Sequence, residues 1–165
     1  MAKVIRRATS ADFEGLKDLY AQLQPEDPVV KDPIVKDHSD LSVFEQILDS
    51  EYFELFVLEN SQAMVLATCY LNLIPNMTRG AAPYGIIENV VTDKASRNQG
   101  FGKRIITHAL DVAWAAGCYK VMLQTGSKKP STHRFYESCG FAAGEKFAFV
   151  ARPAIPTETL RKLSR

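Results

Sequence analysis

The sequence predicts an α+β (mixed α/β) domain in which helices pack on a central sheet. Three observations point there. Short runs rich in β-branched residues, such as Ile86-Ile87-Glu88-Asn89-Val90-Val91-Thr92, have the length and composition of strands. Longer runs repeat apolar residues at helical spacing, as at Phe101, Ile105, Ala109, Val112 and Ala116. The two kinds alternate with no repeat, low-complexity tract or linker between them, so residues 1–165 read as one domain.

In chain order, Val4-Ile5-Arg6-Arg7-Ala8 reads as an opening strand. Thr9 followed by Asp12 has the spacing of a helix N-terminal capping pair. Phe13, Leu16, Leu19, Tyr20 and Leu23 then mark a helix to about Gln24. Pro25 to Asp40 is charged and holds three prolines, which makes it a loop. Leu41 to Asp49 reads as a second helix, with Leu41, Phe44, Ile47 and Leu48 apolar. Tyr52–Glu59 and Ala63–Leu73 read as a hairpin turning at Asn60-Ser61-Gln62, and Pro75–Tyr84 as another loop. After the strand at Ile86–Thr92 comes the long helix, which Gly117 closes. Cys118 to Thr125 reads as a strand, Thr132 to Phe141 contains a short helix, and Lys146 to Arg152 reads as a last strand. Pro156 to Leu163 has the composition of a terminal helix capped by Thr157.

A chain of 165 residues, 46% hydrophobic and 24% charged, can bury a sizeable core. Its net charge of +1 argues against a nucleic-acid arm. No stretch is long and apolar enough to span a bilayer, and Met1–Arg7 lacks the apolar run of a signal peptide, so a cytoplasmic location is expected. Cys69, Cys118 and Cys139 are scattered, with no C-x-x-C and no Cys/His cluster of zinc spacing. They read as reduced thiols, Cys69 and Cys118 as core residues and Cys139 as packing at the end of a helix. No metal site is expected.

The segment with the most chemistry is Arg97-Asn98-Gln99-Gly100-Phe101-Gly102, between a strand and an amphipathic helix. Glycines at a helix mouth let backbone approach a ligand, and the first helical turn offers unpaired N–H groups and the positive end of the dipole. Such a turn is an anion site, with phosphate its usual guest. Arg97, Lys103 and Arg104 add positive charge. A P-loop is excluded, because Arg97 stands where its first glycine belongs and Arg104 where Ser or Thr belongs. A Rossmann turn is excluded, because Ile105 holds the third glycine position. The spacing that fits is R/Q-x-x-G-x-G/A, filled by Arg97, Gly100 and Gly102.

That loop resembles the pyrophosphate-binding loop of the GNAT superfamily of N-acetyltransferases. Thr132-His133-Arg134-Phe135-Tyr136-Glu137-Ser138-Cys139-Gly140-Phe141 resembles the superfamily's second motif, a short helix carrying a tyrosine before a Gly-Phe pair. The resemblance runs strongly from about Ile86 to Phe141. It implies a mostly antiparallel central sheet flanked by helices, with two central strands splayed at a bulge formed by Asn89, Val90 and Val91. It implies acetyl-CoA as cosubstrate, held by those three residues and by Arg97, Asn98, Gln99, Gly100, Phe101, Gly102 and Lys103. Homodimers are common in the superfamily, and Phe147-Ala148-Phe149-Val150 reads either as an interface strand or as an inner core strand.

Acetyl transfer to an amine needs a neutral amine, a stabilised carbonyl oxygen and a protonated leaving thiolate. Tyr136 stands where the superfamily places its general acid, and a phenol near pKa 10 is matched to an alkyl thiol. A core tyrosine is the plain alternative. Glu88, a carboxylate in an apolar strand, takes a proton from the amine through water or holds the acceptor by hydrogen bonding; an outward-facing strand residue is the alternative. The Val90 N–H is a candidate oxyanion donor. His133 is a tempting base but reads better as a solvent-facing or capping residue, and His38 and His108 have weaker cases. No Ser/His/Asp or Cys/His pairing is evident, so direct attack without a covalent intermediate is the simpler route.

The acceptor pocket in the superfamily lies between the first loop-helix region and the loops facing the cofactor, here Pro25–Asp40 and Pro75–Tyr84. Arg79 is suited to a substrate carboxylate or phosphate, and Tyr84 to stacking on a ring. Ile87-Glu88-Asn89 and Gly117-Cys118-Tyr119-Lys120 look similar to pieces of glucosamine-6-phosphate N-acetyltransferases, which usually carry Asp where Asn89 stands. The expected activity is therefore N-acetylation of a small-molecule primary amine, an amino sugar phosphate being the leading case. Acetylation of a protein or peptide amine, and a non-catalytic acyl-CoA-binding sensor, are the competing readings.

Overall fold

The computed structural model describes residues 3–23 and 40–151. Strand β1 (Val4–Arg7) leads through a 3-10 turn at Ser10–Asp12 into helix α1 (Phe13–Tyr20). Helix α2 (Asp40–Asp49) precedes three strands, β2 (Phe53–Glu59), β3 (Val65–Ile74) and β4 (Tyr84–Thr92). Helix α3 (Phe101–Ala115), strand β5 (Val121–Leu123) and helix α4 (Pro130–Ser138) complete the described elements. The five strands form one sheet in chain order, β1-β2-β3-β4-β5. The first three pairings are antiparallel, and β4–β5 is parallel. The last follows from connectivity: α3 carries the chain back before β5 begins, and parallel strands need such a crossover.

The local reasons for these elements are visible in single residues. The β2–β3 turn closes because the Asn60 side chain accepts the N–H groups of Gln62 (2.9 Å) and Met64 (3.1 Å). At the start of α1, the Asp12 carboxylate accepts the Thr9 N–H at 2.7 Å and the Thr9 hydroxyl at 3.1 Å. It also takes a two-pronged bond from the Arg6 guanidinium at 2.7 and 2.9 Å. Arg6 reaches on to Glu59 at 2.5 Å, so one cation ties β1, the helix entry and the end of β2 together.

The sheet is covered on both faces, and β2, an inner strand, is buried continuously from Glu54 to Leu58. Leu55 and Val57 face α1 and α2 and pack with Leu16 and Phe44. Phe56, Leu58, Cys69, Leu71 and Ile87 face α3 and pack with Ile105, Ile106, Ala109 and Ala113. Those last four are fully buried, which is the helical spacing of the sequence turned into one contact stripe.

Several expectations are corrected. The helix expected to reach Gln24 ends at Tyr20, with a turn following. The strand expected over Cys118–Thr125 is only Val121–Leu123, paired with Gly85, Ile86 and Ile87. Beyond Ile87, β4 turns at Asn89 (φ 51°), and β5 has no strand partner left to follow. The final strand expected from Lys146 does not form: residues 146–151 have no strand structure and are exposed. Arg152, the helix at Pro156–Leu163 with its Thr157 cap, His38 and nearly all of the Pro25–Asp40 loop lie outside the described residues.

Candidate active site

Two distortions of the backbone create the site. The first is in β4. Thr68 pairs with Val91 and Tyr70 with Glu88, so Asn89 and Val90 together oppose Cys69 alone. This is a β-bulge, with Asn89 in the left-handed region at φ 51°. It begins two residues beyond the last pair of β4 and β5, Ile87 and Leu123, where the two strands part. The splay and two of the three expected bulge residues, Asn89 and Val90, therefore fall where the sequence reading placed them, while Val91 is back in the ladder opposite Thr68.

The second distortion leads into α3. After β4, the Asp93 carboxylate accepts the Ala95 N–H at 2.9 Å and starts a 3-10 turn at Lys94–Ser96. Asn98 (φ 60°) and Gly100 (φ 78°) are both left-handed, which turns the chain into the helix. The first helical bond runs from Arg104 N–H to Gly100 O at 3.0 Å. The N–H groups of Phe101, Gly102 and Lys103 precede it and have no intrahelical acceptor. A side chain at Gly100 would meet nothing within 4 Å. Gly102 differs: its Cβ would come within 3.1 Å of both Phe135 and Thr92, so this glycine admits the tyrosine-bearing helix against α3 rather than opening room for a ligand. Arg97 donates to the Thr92 carbonyl at 3.2 Å, and Arg104 turns away to the Lys3 carbonyl at 3.2 Å.

These pieces meet in one cleft of about 670 Å³. Of the expected site residues, Val90, Val91, Arg97, Asn98, Gly100, Phe101, Gly102, Lys103 and Tyr136 line it. Gln99 is exposed beside it. Tyr136 is half-buried on α4, with its ring 5.1 Å from Phe135 and 6.4 Å from Phe141. Ser131 and Thr132, in the first turn of α4, also line the cleft, so two helix N-termini open on the same space. Gln22, at the end of α1, lines it as well. Its amide accepts the Lys94 N–H at 2.9 Å and donates to Asp93 at 3.3 Å, which fixes the approach to the loop. Nothing local in the sequence flags Gln22, because its partners are more than 70 positions away.

Glu88 stands one step before the bulge. Ile87 packs in the α3-side core, so Glu88 faces the α1–α2 side, where its cross-strand partner Tyr70 packs. Tyr136 packs on the α3 side. Burial holds the Glu88 carboxyl above its ordinary pKa. Tyr136 is raised by burial first, then by the Cys139 thiol and by the charge of Glu88. Tyr70 is raised by burial and by Glu88. The carboxylate thus lies within electrostatic reach of phenols on both faces of the sheet, at the place where the sheet opens.

The remaining candidates sit elsewhere. Tyr84 opens β4, some 20 Å along the strand from Val90 at ~3.3 Å per residue, and Arg79 lies in the 3-10 turn before it. There the Tyr84 and Tyr119 rings are 6.3 Å apart, with Lys120 over both and Arg79 6.0 Å from Tyr119. His133 is exposed and bonded to the Ser127 carbonyl at 2.8 Å, a loop-fastening role. His108 packs edge-on against Phe56 at 4.8 Å. All three cysteines are buried and free, and burial pushes their thiols up, Cys69 to about 12. Among the described residues no His, Cys, Asp or Glu cluster is placed to hold a metal, and no helix is long and apolar enough to cross a membrane.

Comparison with known proteins gives a consistent result. The model of the acetyltransferase (GNAT) family matches residues 16–141. A protein named probable glucosamine 6-phosphate N-acetyltransferase 2, from Oryza sativa subsp. japonica, is 36% identical over 80 residues, 48% of this chain and 46% of that one. A glucosamine 6-phosphate N-acetyltransferase from Trypanosoma brucei brucei is 37% identical over 82 residues, 50% of this chain and 54% of that one. The chain therefore spans about half the length of these curated relatives. A solved structure described as a putative acetyltransferase from Agrobacterium tumefaciens str. C58 is 40% identical with a TM-score of 0.79, covering 91% of this chain and 99% of that one.

Proposed function

The chain belongs to the GNAT acetyltransferase family, and from that premise we propose that it moves an acetyl group from acetyl-CoA to the primary amine of a small molecule by direct attack. The observation that carries this is the single cleft joining the α3 entry, the β4 bulge and Tyr136. The donor fits that cleft on its own terms. Arg97, Lys103 and the unpaired N–H groups of α3 suit a pyrophosphate. The open space over Gly100 gives it access. The bulge at Asn89 and Val90 interrupts the regular ladder and offers backbone groups to an amide-bearing arm.

Tyr136 protonates the departing thiolate. Its pKa is raised, so the phenol keeps its proton at neutral pH. Glu88 lies toward the opposite face and receives the proton that the amine sheds, through water. Its raised pKa, caused by burial, makes it a stronger base than an exposed carboxylate. The N–H of Val90 serves as the donor to the carbonyl oxygen as charge develops there. A glucosamine-6-phosphate-like amino sugar is the leading acceptor, supported by the names of the Oryza and Trypanosoma relatives.

The test is CoA release from acetyl-CoA against glucosamine 6-phosphate, glucosamine, amino acids, polyamines and aminoglycosides. The expected result is turnover with the amino sugar, strongest for the phosphorylated one. Turnover with a different small amine replaces the acceptor while keeping the reaction. Acetyl-CoA binding without turnover of any amine overturns the proposal in favour of a protein acceptor or a sensor.

A further inference from the structure

The 3-10 turn at Lys94–Ser96, between β4 and α3, has its three N–H groups satisfied in three different ways. The Ser96 N–H bonds to the Asp93 carbonyl at 2.8 Å. The Ala95 N–H bonds to the Asp93 carboxylate at 2.9 Å. The Lys94 N–H is the one the turn does not satisfy for itself, because the first donor of a helical turn has no acceptor before it. The Gln22 side chain, 72 positions earlier, accepts it at 2.9 Å.

The Gln22 amide fits in one orientation. Its oxygen takes the Lys94 N–H, and its nitrogen donates to the Asp93 carboxylate at 3.3 Å and to the Asp18 carbonyl at 3.2 Å. A flipped amide would set oxygen against two acceptors and nitrogen against a donor. The helix that carries it is closely seated. Gly15 lets α1 approach β3, since a Cβ there would lie 3.2 Å from Val65. Leu16 and Leu19 of the same helix are buried. After Tyr20 the chain tightens, with the Gln22 N–H bonded to the Leu19 carbonyl at 2.9 Å and the Leu23 N–H to the Tyr20 carbonyl at 3.0 Å. Gln22 thus reaches the turn from a packed element outside it.

We infer that Gln22 is a positioning residue for the donor, holding the Lys94–Ser96 turn so that Arg97 and the α3 entry meet the pyrophosphate. This role rests on the reading of the α3 entry as the donor's site. The turn leads directly into Arg97, Asn98 and Gly100, which line the same cleft as Gln22. Asn98 and Gly100, both left-handed, then swing the chain into α3. A shift of the turn therefore moves Arg97 and the first N–H groups of α3 together.

A donor–acceptor swap tests this. Gln22→Glu keeps the side-chain length and an oxygen for the Lys94 N–H, but sets oxygen against the Asp93 carboxylate. Asp93→Asn keeps an oxygen for the Ala95 N–H, but sets an amide nitrogen against that of Gln22. Together they again face one donor with one acceptor, and the formal charge is conserved. Titration calorimetry of the full chain with CoA reads the outcome. Each single substitution is expected to weaken binding by about tenfold, the scale of one net hydrogen bond. The double substitution is expected to recover to within about threefold of the unmodified chain, as coupled neighbours do. Gln22→Met, uncharged and of equal length, is expected to weaken binding as Asp93→Asn does and to speed hydrogen exchange at the Lys94 amide. Unchanged affinity in Gln22→Met overturns the inference while leaving the donor site intact. A double variant no tighter than the weaker single one also overturns it, because the amide then acts on the ligand and not through the turn. Failure of the unmodified chain to bind CoA overturns the donor-site reading and this role with it. Should a swap variant fail to fold, Gln22→Met decides alone.

Discussion

Gly100 separates backbone geometry from ligand access, and replacing it tests both. At φ 78° it caps α3 in the left-handed region, and a Cβ there meets nothing within 4 Å. Gly100→Ala therefore carries no clash, and its cost is the conformation itself, roughly 1–2 kcal/mol for an ordinary L-residue. In a chain of this size that lowers Tm by about 2–8 °C, at about 2–4 °C per kcal/mol. Asn tolerates the left-handed region far better, as the preceding Asn98 at φ 60° already does. Gly100→Asn is thus expected to keep Tm within about 2 °C of the unmodified protein. Both substitutions place a side chain at the cleft wall, so both are expected to weaken acetyl-CoA binding, by about tenfold or ~1.4 kcal/mol. Thermal unfolding by circular dichroism and titration calorimetry with acetyl-CoA read the two effects separately. A Tm loss as large for Asn as for Ala refutes the conformational argument. Undiminished affinity in both refutes the assignment of the loop to the donor.

Three further outcomes follow from neighbouring features. Gly102→Ala sets overpacking against Phe135 and Thr92, at 3.1 Å each and about 1–3 kcal/mol, against a helix-propensity gain of about 1 kcal/mol. Tm is expected to fall, and Phe135→Leu in the same chain to restore part of it; a rise in Tm would mean that the helices part freely. Glu88→Gln is expected to lower kcat/KM by about 10²-fold. It should also remove the acid limb of its pH profile, whose midpoint lies above the ordinary carboxylate value because burial raises Glu88; a limb that survives the substitution belongs to another group. Asp12 is held below the usual range chiefly by hydrogen bonds from Arg6, with burial opposing. It contributes stability that is present above the unfolded value near ~3.9 and is lost as pH falls through the lower folded one. Asp12→Asn should cost about 1.5 kcal/mol at pH 7, the low end for a charged hydrogen bond because Arg6 is a third exposed. Denaturant titration at pH 7 and pH 3 checks this, and an unchanged pH dependence contradicts it.

What the sequence made legible is what depends on near neighbours or on a motif. The Thr9–Asp12 capping pair, the turn at Asn60 and the Gly117 stop rest on spacings of a few residues and stand as read; the α3 stripe holds at Phe101, Ile105 and Ala109, but its buried face continues through Ile106 and Ala113, and Ala116 is exposed. The bulge at Asn89 came from resemblance, since a lone Asn in an apolar strand does not announce a left-handed residue. Gly102 lines the cleft as a loop residue would, and its second constraint, the Phe135 ring, arrives from another helix. Arg104 sits beside the loop in sequence, but its side chain spans to Lys3. Tyr84, read as the end of a loop, opens β4, and Arg79 lies in the turn before it, so both stand at least a strand's length from Val90. Gln22 was beyond reach because its partners Asp93 and Lys94 lie more than 70 positions along the chain.

The central claim is that one cleft joins an anion-binding helix entry to a phenol that acts as the acid. The most direct measurement is the kcat and the acetyl-CoA dissociation constant of Tyr136→Phe beside the unmodified enzyme, using the best amine from the acceptor panel. The account predicts kcat lower by about 10²-fold or more, with acetyl-CoA affinity and Tm nearly unchanged. Equal losses in affinity and turnover would make Tyr136 a packing residue, and an unaltered kcat would remove it from the chemistry.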